Sequence, residues 1–214
     1  VLDRPAVKNA LDEAALAALA GALRDAAADT DVHLVTISAA GTDFCVGQDV
    51  KQLAATGPRG DYFEPVFLAL KALHKPVVCA ARGFCLAGGA GIVLGADVRI
   101  IGRSTRFGWP HTKIGISSIG GPSGLARAIP ANIALELMFT GDFLDAERAA
   151  ALGLANHVVD DERLDETMAG VVDKILRNAP LALQAAKRAT VEGIELPYRD
   201  AVANARAILD KLML

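Results

Sequence analysis

Aromatic residues, cysteine and long hydrophobic runs are all scarce in this chain. Of its 214 residues, 5% are aromatic and three are cysteine. Cys45, Cys79 and Cys85 lack the spacing of a metal-binding motif, so they are interpreted as reduced structural thiols of a cytosolic protein. The longest apolar run, Leu86 to Val98, is too short and too rich in glycine to cross a bilayer, and no signal peptide is recognised. These absences predict a cytoplasmic protein with no bound metal and no membrane span.

A large excess of either charge is also missing. The formal net charge is −3, which gives no indication of a nucleic-acid partner. With 52% hydrophobic and 22% charged residues, the chain has the composition of a folded protein rather than a disordered one. Its length predicts one sizeable domain, with room for an appended helical part.

Glycine, by contrast, is concentrated in a segment that joins a predicted strand to a predicted helix. The segment Gly83–Gly91 follows the buried-strand pattern of residues 76–81 and leads into the apolar run 90–96. Such a turn directs free backbone N–H groups, and the positive end of the helix dipole, at whatever lies in the turn. A second tight turn, residues 44–49, also follows a strand pattern. Two turns of this kind can supply two donors to one oxygen atom, although each is also interpretable as a tight connection only.

Periodicity along the chain predicts an α/β fold. Apolar residues recur at helical spacing over residues 12–28, with Asp12 as the predicted N-cap. The predicted strands are 32–38, 76–81, 98–101 and 106–108, and the predicted helices are 12–28, 62–73, 90–96, 131–139, 146–152, 163–178, 180–190 and 198–213, with a short helix expected at 48–49 and a strand-like stub at 158–159. The alternation predicts a spiral core of strand–strand–helix units over residues 1–130 and a helical region over residues 131–214.

Several short motifs, taken in order, resemble the crotonase (enoyl-CoA hydratase/isomerase) superfamily from residue 1 to about 190. They are Asp3-Arg4-Pro5, Lys8-Asn9-Ala10-Leu11, the turn 44–50, Lys75-Pro76-Val77, the turn 83–89, Ala96-Asp97, Phe107-Gly108 and Thr140-Gly141. The resemblance implies a crotonase-type spiral whose C-terminal helices build a homotrimer, often paired into a hexamer. It also implies an acyl-coenzyme A thioester as substrate, with coenzyme A as part of the substrate and no separately bound cofactor.

By the same resemblance, the thioester carbonyl is expected between the backbone N–H groups of Gln48 and Gly88. Polarising that carbonyl makes the α-proton more acidic and stabilises an enolate. The residues expected to contact the coenzyme A thioester are Lys8, Ala10, Val46, Gln48, Phe84 and Gly88. For Lys8 the alternative is a solvated surface lysine, and for Phe84 it is core packing.

The chain departs from the family pattern where the family carries its acids. The two glutamates of a standard hydratase fall at Gly91 and His111, and a third acidic position falls in Ser117-Ser118-Ile119. A two-glutamate hydration mechanism is therefore not predicted. His111 becomes the candidate acid/base group because imidazole titrates near neutral pH, and its alternative is a structural histidine beside Trp109.

The predicted function is an acyl-coenzyme A enzyme that carries out hydration, isomerisation or another enolate-type step. Two alternatives remain open. One is a non-catalytic homologue that binds acyl-coenzyme A as a scaffold, which the missing acids favour. The other is a thioester hydrolase of the related Clp protease architecture, which would need a nucleophile, a histidine and an acid, although no serine lies at the Gly88 turn.

Overall fold

The architecture is that of an α/β protein in which short parallel strands alternate with helices. A computed structural model describes residues 1–49 and 63–212. The helices are α1 (Glu13–Ala28), α2 (Glu64–Ala72), α3 (Gly88–Leu94), α4 (Ala126–Ala128), α5 (Ala131–Thr140), α6 (Ala146–Ala151), α7 (Leu164–Leu176), α8 (Pro180–Gly193) and α9 (Tyr198–Leu212). Shorter helical turns lie at Pro5–Val7, Pro110–Ile114, Gly121–Leu125 and Asp161–Arg163.

The strands form two small sheets. They are β1 (Val35–Ile37), β2 (Val77–Ala81), β3 (Phe84–Leu86), β4 (Val98–Gly102), β5 (Arg106–Gly108), β6 (Phe143–Asp145) and β7 (His157–Val159). One sheet has the order β1-β2-β4-β7 and is parallel throughout, while the other has the order β3-β5-β6 with β6 antiparallel. Every residue of β2 is buried, as expected for a central parallel strand covered on both faces.

Most predicted elements are confirmed, with shifted ends. Helix α1 begins after Asp12, whose carboxylate accepts a hydrogen bond from the Ala15 N–H at 2.9 Å. Helix α3 begins two residues earlier than predicted, at Gly88, and the first strand shortens from residues 32–38 to Val35–Ile37. The short helix predicted to begin at 48–49 would continue into residues that lie outside the described part of the chain. The first residue of the helix predicted over 62–73 also lies outside it.

Two strands were not predicted at all. Phe84–Leu86 was interpreted as part of a turn, and Phe143–Asp145 as the connection between two helices. Each strand is only three residues long, too short for an alternating pattern to stand out, and each is defined by its pairing with β5. The chain beyond residue 130 therefore contributes β6 to one sheet and β7 to the edge of the other.

The core lies between the sheets and helices α1, α2, α3 and α5. Its largest fully buried side chains include Trp109, Phe44 and Phe107. None of the helices within residues 1–49 and 63–212 combines the length and apolar character needed to span a membrane.

An ion pair between a nearly buried lysine and a more exposed aspartate attaches helix α8 to this core. Lys187 Nζ lies 2.8 Å from an Asp97 carboxylate oxygen, and the Lys187 side chain is only 9% exposed. The same ammonium donates to the Lys75 carbonyl at 2.9 Å, while Asp97 accepts the Val77 N–H at 2.7 Å. Asp97 thus connects the first residue of β2 to the C-terminal helices.

We expect Lys187→Met to lower the free energy of unfolding by about 1.5–3 kcal/mol, because it removes the charged hydrogen bonds made by a nearly buried ammonium. Arg206→Met is the matched control, since Arg206 pairs with Asp210 at 3.6 Å while its side chain is 75% exposed, and it should change stability little. Urea unfolding of both variants measures the difference. Equal losses would show that the Lys187 pair contributes no more than a surface pair.

Candidate functional site

The two glycine turns predicted from the sequence contact each other through their backbones. Cys45 and Cys85 form an isolated parallel bridge, in which the Cys45 N–H donates to the Phe84 carbonyl at 3.0 Å. The Leu86 N–H donates to the Cys45 carbonyl at 2.9 Å. The chain entering the first turn therefore runs beside β3, which enters the second turn.

Glycine is required at this contact because the backbones leave no room for side chains. Gly47 has a φ of +95°, and a Cβ there would lie 2.8 Å from the Ala87 Cβ and 3.4 Å from the Gly88 nitrogen. A Cβ on Gly89 would lie 2.3 Å from the Cys45 carbonyl oxygen. The backbone before Gln48 therefore lies so close to the second turn that a side chain at residue 47 would reach Ala87 and the Gly88 nitrogen.

The hydrogen bonds around the turns determine which N–H groups remain available. On the Gln48 side, the Leu11 N–H donates to the Gly47 carbonyl at 2.8 Å and the Asp49 N–H donates to the Leu11 carbonyl at 3.0 Å. Because backbone groups alternate in direction along extended chain, the Gln48 N–H points away from Leu11. Gly88 is the first residue of α3, where an N–H has no acceptor within the helix.

Neither of these two N–H groups donates to an acceptor within residues 1–49 and 63–212. The neighbouring Ala87 N–H, in contrast, is used, because it donates to the Gly108 carbonyl at 2.8 Å. The arrangement leaves two backbone donors close together at the start of a helix, which is the chemistry needed to bind an oxygen atom that carries negative charge.

Ala87 holds the second turn in a strained conformation. Its φ of 55° and ψ of −121° lie in a region that residues with a side chain rarely adopt. The turn is maintained by the Ala87–Gly108 hydrogen bond and by the close contact with Gly47. Strain of this kind is retained only where the surrounding structure enforces it.

We expect Ala87→Gly to raise the free energy of unfolding, by about 1 kcal/mol, because glycine adopts this conformation without strain. Ala18→Gly, on the exposed side of α1, should have the opposite effect and lower it by about 1 kcal/mol. Denaturant unfolding of the two variants tests the sign. A loss of stability in Ala87→Gly would contradict the assignment of strain.

The residues predicted to contact a coenzyme A thioester lie on this side of the molecule. Lys8 Nζ is 4.6 Å from the centre of the Phe84 ring and 3.9 Å from an Asp43 carboxylate oxygen. The Lys8 carbonyl accepts the Val46 N–H at 3.3 Å, and Ala10 directly precedes Leu11, the bridge partner of Gln48. The structure therefore brings Lys8, Val46 and Phe84 together beside the Gln48 turn.

His111 follows β5, the strand that bonds to the second turn. Gly108, the last residue of β5, accepts the Ala87 N–H, and His111 follows in the helical turn Pro110–Ile114. His111 Nδ1 and Trp109 Nε1 are both buried and have no hydrogen-bond partner within the described chain. Burial lowers the pKa of His111 below its usual 6.5, an effect that the Trp109 backbone opposes, so the imidazole is neutral at pH 7.

Other candidate side chains have structural partners. Ser118 Oγ accepts the Gly121 N–H at 3.0 Å, which is the turn role considered in the sequence analysis. Burial raises the pKa of the Cys45 and Cys79 thiols to about 12 and raises that of Cys85 well above its usual value, so all three stay protonated. No group of three histidine, cysteine or acidic residues in the described ranges could hold a metal ion.

Two phenylalanines that sequence reasoning did not single out cover the α3 side of the turn. A Cβ on Gly88 would lie 2.2 Å from the Phe63 ring, and one on Gly91 would lie 2.6 Å from the Phe67 ring. The two rings stack with centroids 5.7 Å apart. Their four-residue spacing at the start of a predicted helix was the available signal, but it does not reveal that they face glycines.

A cavity of about 980 Å³ extends from this point along α3. It begins at Phe67, Gly91 and Gly120 and continues towards Ala186 and Ile194 of the C-terminal helices. Its volume is at the upper end of the range that small-molecule sites occupy.

Comparison with known proteins identifies the family of this chain. The chain matches the family described as enoyl-CoA hydratase/isomerase over residues 1–213. It belongs to that family. The (E)-benzylidenesuccinyl-CoA hydratase of Thauera aromatica is 31% identical over 210 residues, covering 94% of this chain and 81% of that protein. The 2,3-dehydroadipyl-CoA hydratase of Escherichia coli is 32% identical, covering 99% of this chain and 84% of that protein.

Solved structures confirm the fold. The enoyl-CoA hydratase of Mycobacterium smegmatis superimposes with a TM-score of 0.94 at 32% identity, covering 99% of this chain and 84% of that one. The enoyl-CoA hydratase of Bacillus anthracis gives a TM-score of 0.94 at 28% identity, covering 98% of this chain and 84% of that one. The predicted crotonase superfamily and its α/β fold with a helical C-terminal region are both confirmed.

Proposed function

We propose that this protein binds an acyl-coenzyme A thioester and polarises its carbonyl between the Gln48 and Gly88 N–H groups. The observation that carries the proposal is the backbone contact between the two turns: the Cys45–Cys85 bridge holds them side by side, and a Cβ added at Gly47 would lie 3.4 Å from the Gly88 nitrogen. Family membership supports the substrate class. Lys8, Ala10, Val46 and Phe84 are proposed to contact the coenzyme A part, because they lie beside the same turn. Coenzyme A belongs to the substrate, and no separate cofactor is proposed.

The reaction is proposed to be an enolate-type change at the acyl group, by a route other than the two-glutamate mechanism. Two backbone donors aimed at the carbonyl oxygen stabilise the negative charge that develops there when an α-proton leaves. His111 is proposed to transfer that proton. Its neutral, buried imidazole is in the form that accepts a proton.

The assembly is proposed to be a homotrimer or a pair of trimers, formed through the helical region 131–214 and located in the cytoplasm. Exposed apolar side chains in and just before this region support an interface, including Leu135, Phe139 and Phe143, together with Ile114 and Ile116.

A non-catalytic acyl-coenzyme A-binding protein is the second candidate. The observation that favours it is Gly91, where a glycine packed against Phe67 replaces a proton-transfer group. It differs from the first candidate in one measurable respect, since it binds thioesters without changing their mass or exchanging their α-protons. A hydrolase is less well supported, because the turn that carries Gly88 offers no serine nucleophile.

The carbonyl stretch of a 13C-labelled acyl-coenzyme A should move to lower frequency when the thioester binds. Gln48→Ala retains the backbone N–H and should retain the shift. Gly88→Pro removes a donor and should reduce the shift. Because the Phe63 ring occupies the Cβ position of residue 88, this change is made in a Phe63→Ala background, with Phe63→Ala alone as its control. Binding without any shift in the wild type would rule out the proposed carbonyl site.

Turnover on the thioester identified by a mass-based screen should fall by about 10²–10⁴-fold in His111→Ala, with little change in affinity. Because burial lowers the pKa of His111, the acidic decline of wild-type kcat/KM should lie at lower pH than an ordinary imidazole would give. The variant should lack this acidic decline. Unchanged turnover would return His111 to a structural role.

A further inference from the structure

Helix α2 places its side chains into the spaces that glycines leave on α3. The Phe63 ring meets the Cβ position of Gly88, and the Phe67 ring meets that of Gly91. One turn further along, Leu70 Cδ1 lies 2.7 Å from the Cβ position of Gly95. Residues 88 and 91 are three apart on one helix and so lie on the same face, next to the proposed carbonyl site.

Phe67 differs from Phe63 and Leu70 because its ring lies beside the glycine segment and also lines the cavity. Its ring lies 2.6 Å from the Cβ position of Gly91 and 3.2 Å from that of Gly120. All three residues form the end of the 980 Å³ cavity nearest to the turn. Phe67 is partly buried, and it packs against the hydrophobic core.

We propose that Phe67 determines which reaction this site supports, by filling the volume beside Gly91 with an aromatic ring. This inference rests on the proposed function, because it concerns a thioester whose carbonyl lies at Gln48 and Gly88. Carbons beyond the carbonyl then contact an apolar surface rather than an acid with its water. The substrate class is an acyl thioester that reacts at its α-carbon and is protected from addition of water at its β-carbon.

The Phe67 ring occupies space that a longer side chain at position 91, or a water molecule beside it, would need. A Cβ at position 91 would lie 2.6 Å from a ring carbon of Phe67, closer than real Cβ contacts come, so a glutamate there requires the ring to shift from its present position. A water needs polar partners to remain in a cavity, and an aromatic face beside a glycine offers none. Position 91, where the family resemblance implies a glutamate, therefore has a glycine beside an apolar surface that does not hold a water molecule.

Restoring the acid should accordingly require removal of the ring. In hydration, the carboxylate introduced at position 91 would take a proton from water as the water oxygen bonds to Cβ and the Cα=Cβ π electrons move into the enolate, and the carboxylic acid so formed would return that proton to Cα. Gly91→Glu alone should remain as poor a hydratase of crotonyl-coenzyme A as the wild type. Phe67→Ala/Gly91→Glu should exceed both by about 10²-fold or more, the contribution of one positioned acid/base group.

The matched control is Leu68→Ala/Gly91→Glu, which shortens the neighbouring α2 residue, whose side chain is 60% exposed. It should behave like Gly91→Glu. Thermal unfolding and the affinity for acetyl-coenzyme A are measured for every variant, and Gly91→Glu should melt below Phe67→Ala/Gly91→Glu because the clash is relieved in the latter.

Two outcomes would overturn the inference. One is equal hydration by Gly91→Glu and Phe67→Ala/Gly91→Glu, which would show that the ring does not block the site. The other is a folded, thioester-binding Phe67→Ala/Gly91→Glu that gains no hydration and melts no higher than Gly91→Glu. Failure of the proposed function is distinguishable from both, because the wild type itself would then show no shift of the carbonyl stretch when it meets the labelled thioester.

Discussion

The backbone contact between the two glycine turns is the constraint on which the rest of the site depends. The parallel bridge from Cys45 to Cys85 brings the turns together, and the absence of side chains at Gly47 and Gly89 lets them approach closely. A backbone donor costs no side-chain entropy when it binds and is insensitive to the side chain it carries. This explains how Gln48 occupies one turn without altering the polar groups that the turn presents.

Much of this arrangement could be predicted from the sequence, because it is encoded in local patterns. The buried run of residues 76–81 followed by glycines predicted a strand leading into a helix, and the structure has β2, the short strand β3 and then α3. Asp12 predicted the start of α1 because its cap is a local interaction. The family resemblance, carried by motifs in order, predicted the fold over nearly the whole chain.

What could not be predicted depends on contacts between residues distant in sequence. Strand Phe143–Asp145 exists because β5 pairs with it, not because three residues carry a strand signal. Phe67 faces Gly91 only after α2 packs on α3, so the sequence alone revealed a missing acid but not what occupies its space. His111 was identified by its position, whereas its unpartnered Nδ1 and the burial that lowers its pKa emerge only from the surrounding structure.

Because Phe67 packs against Gly91, substitutions at these two positions are expected to depend on each other during evolution. A lineage that acquired a longer residue at 91 first would place it against the ring, while one that lost the ring first would lose its apolar contacts with the core. Each single step is unfavourable by itself, and only the pair restores a filled interior. Conversion between this arrangement and an acid-bearing one is therefore expected to require two nearly simultaneous substitutions, which would make the present state persist across related sequences.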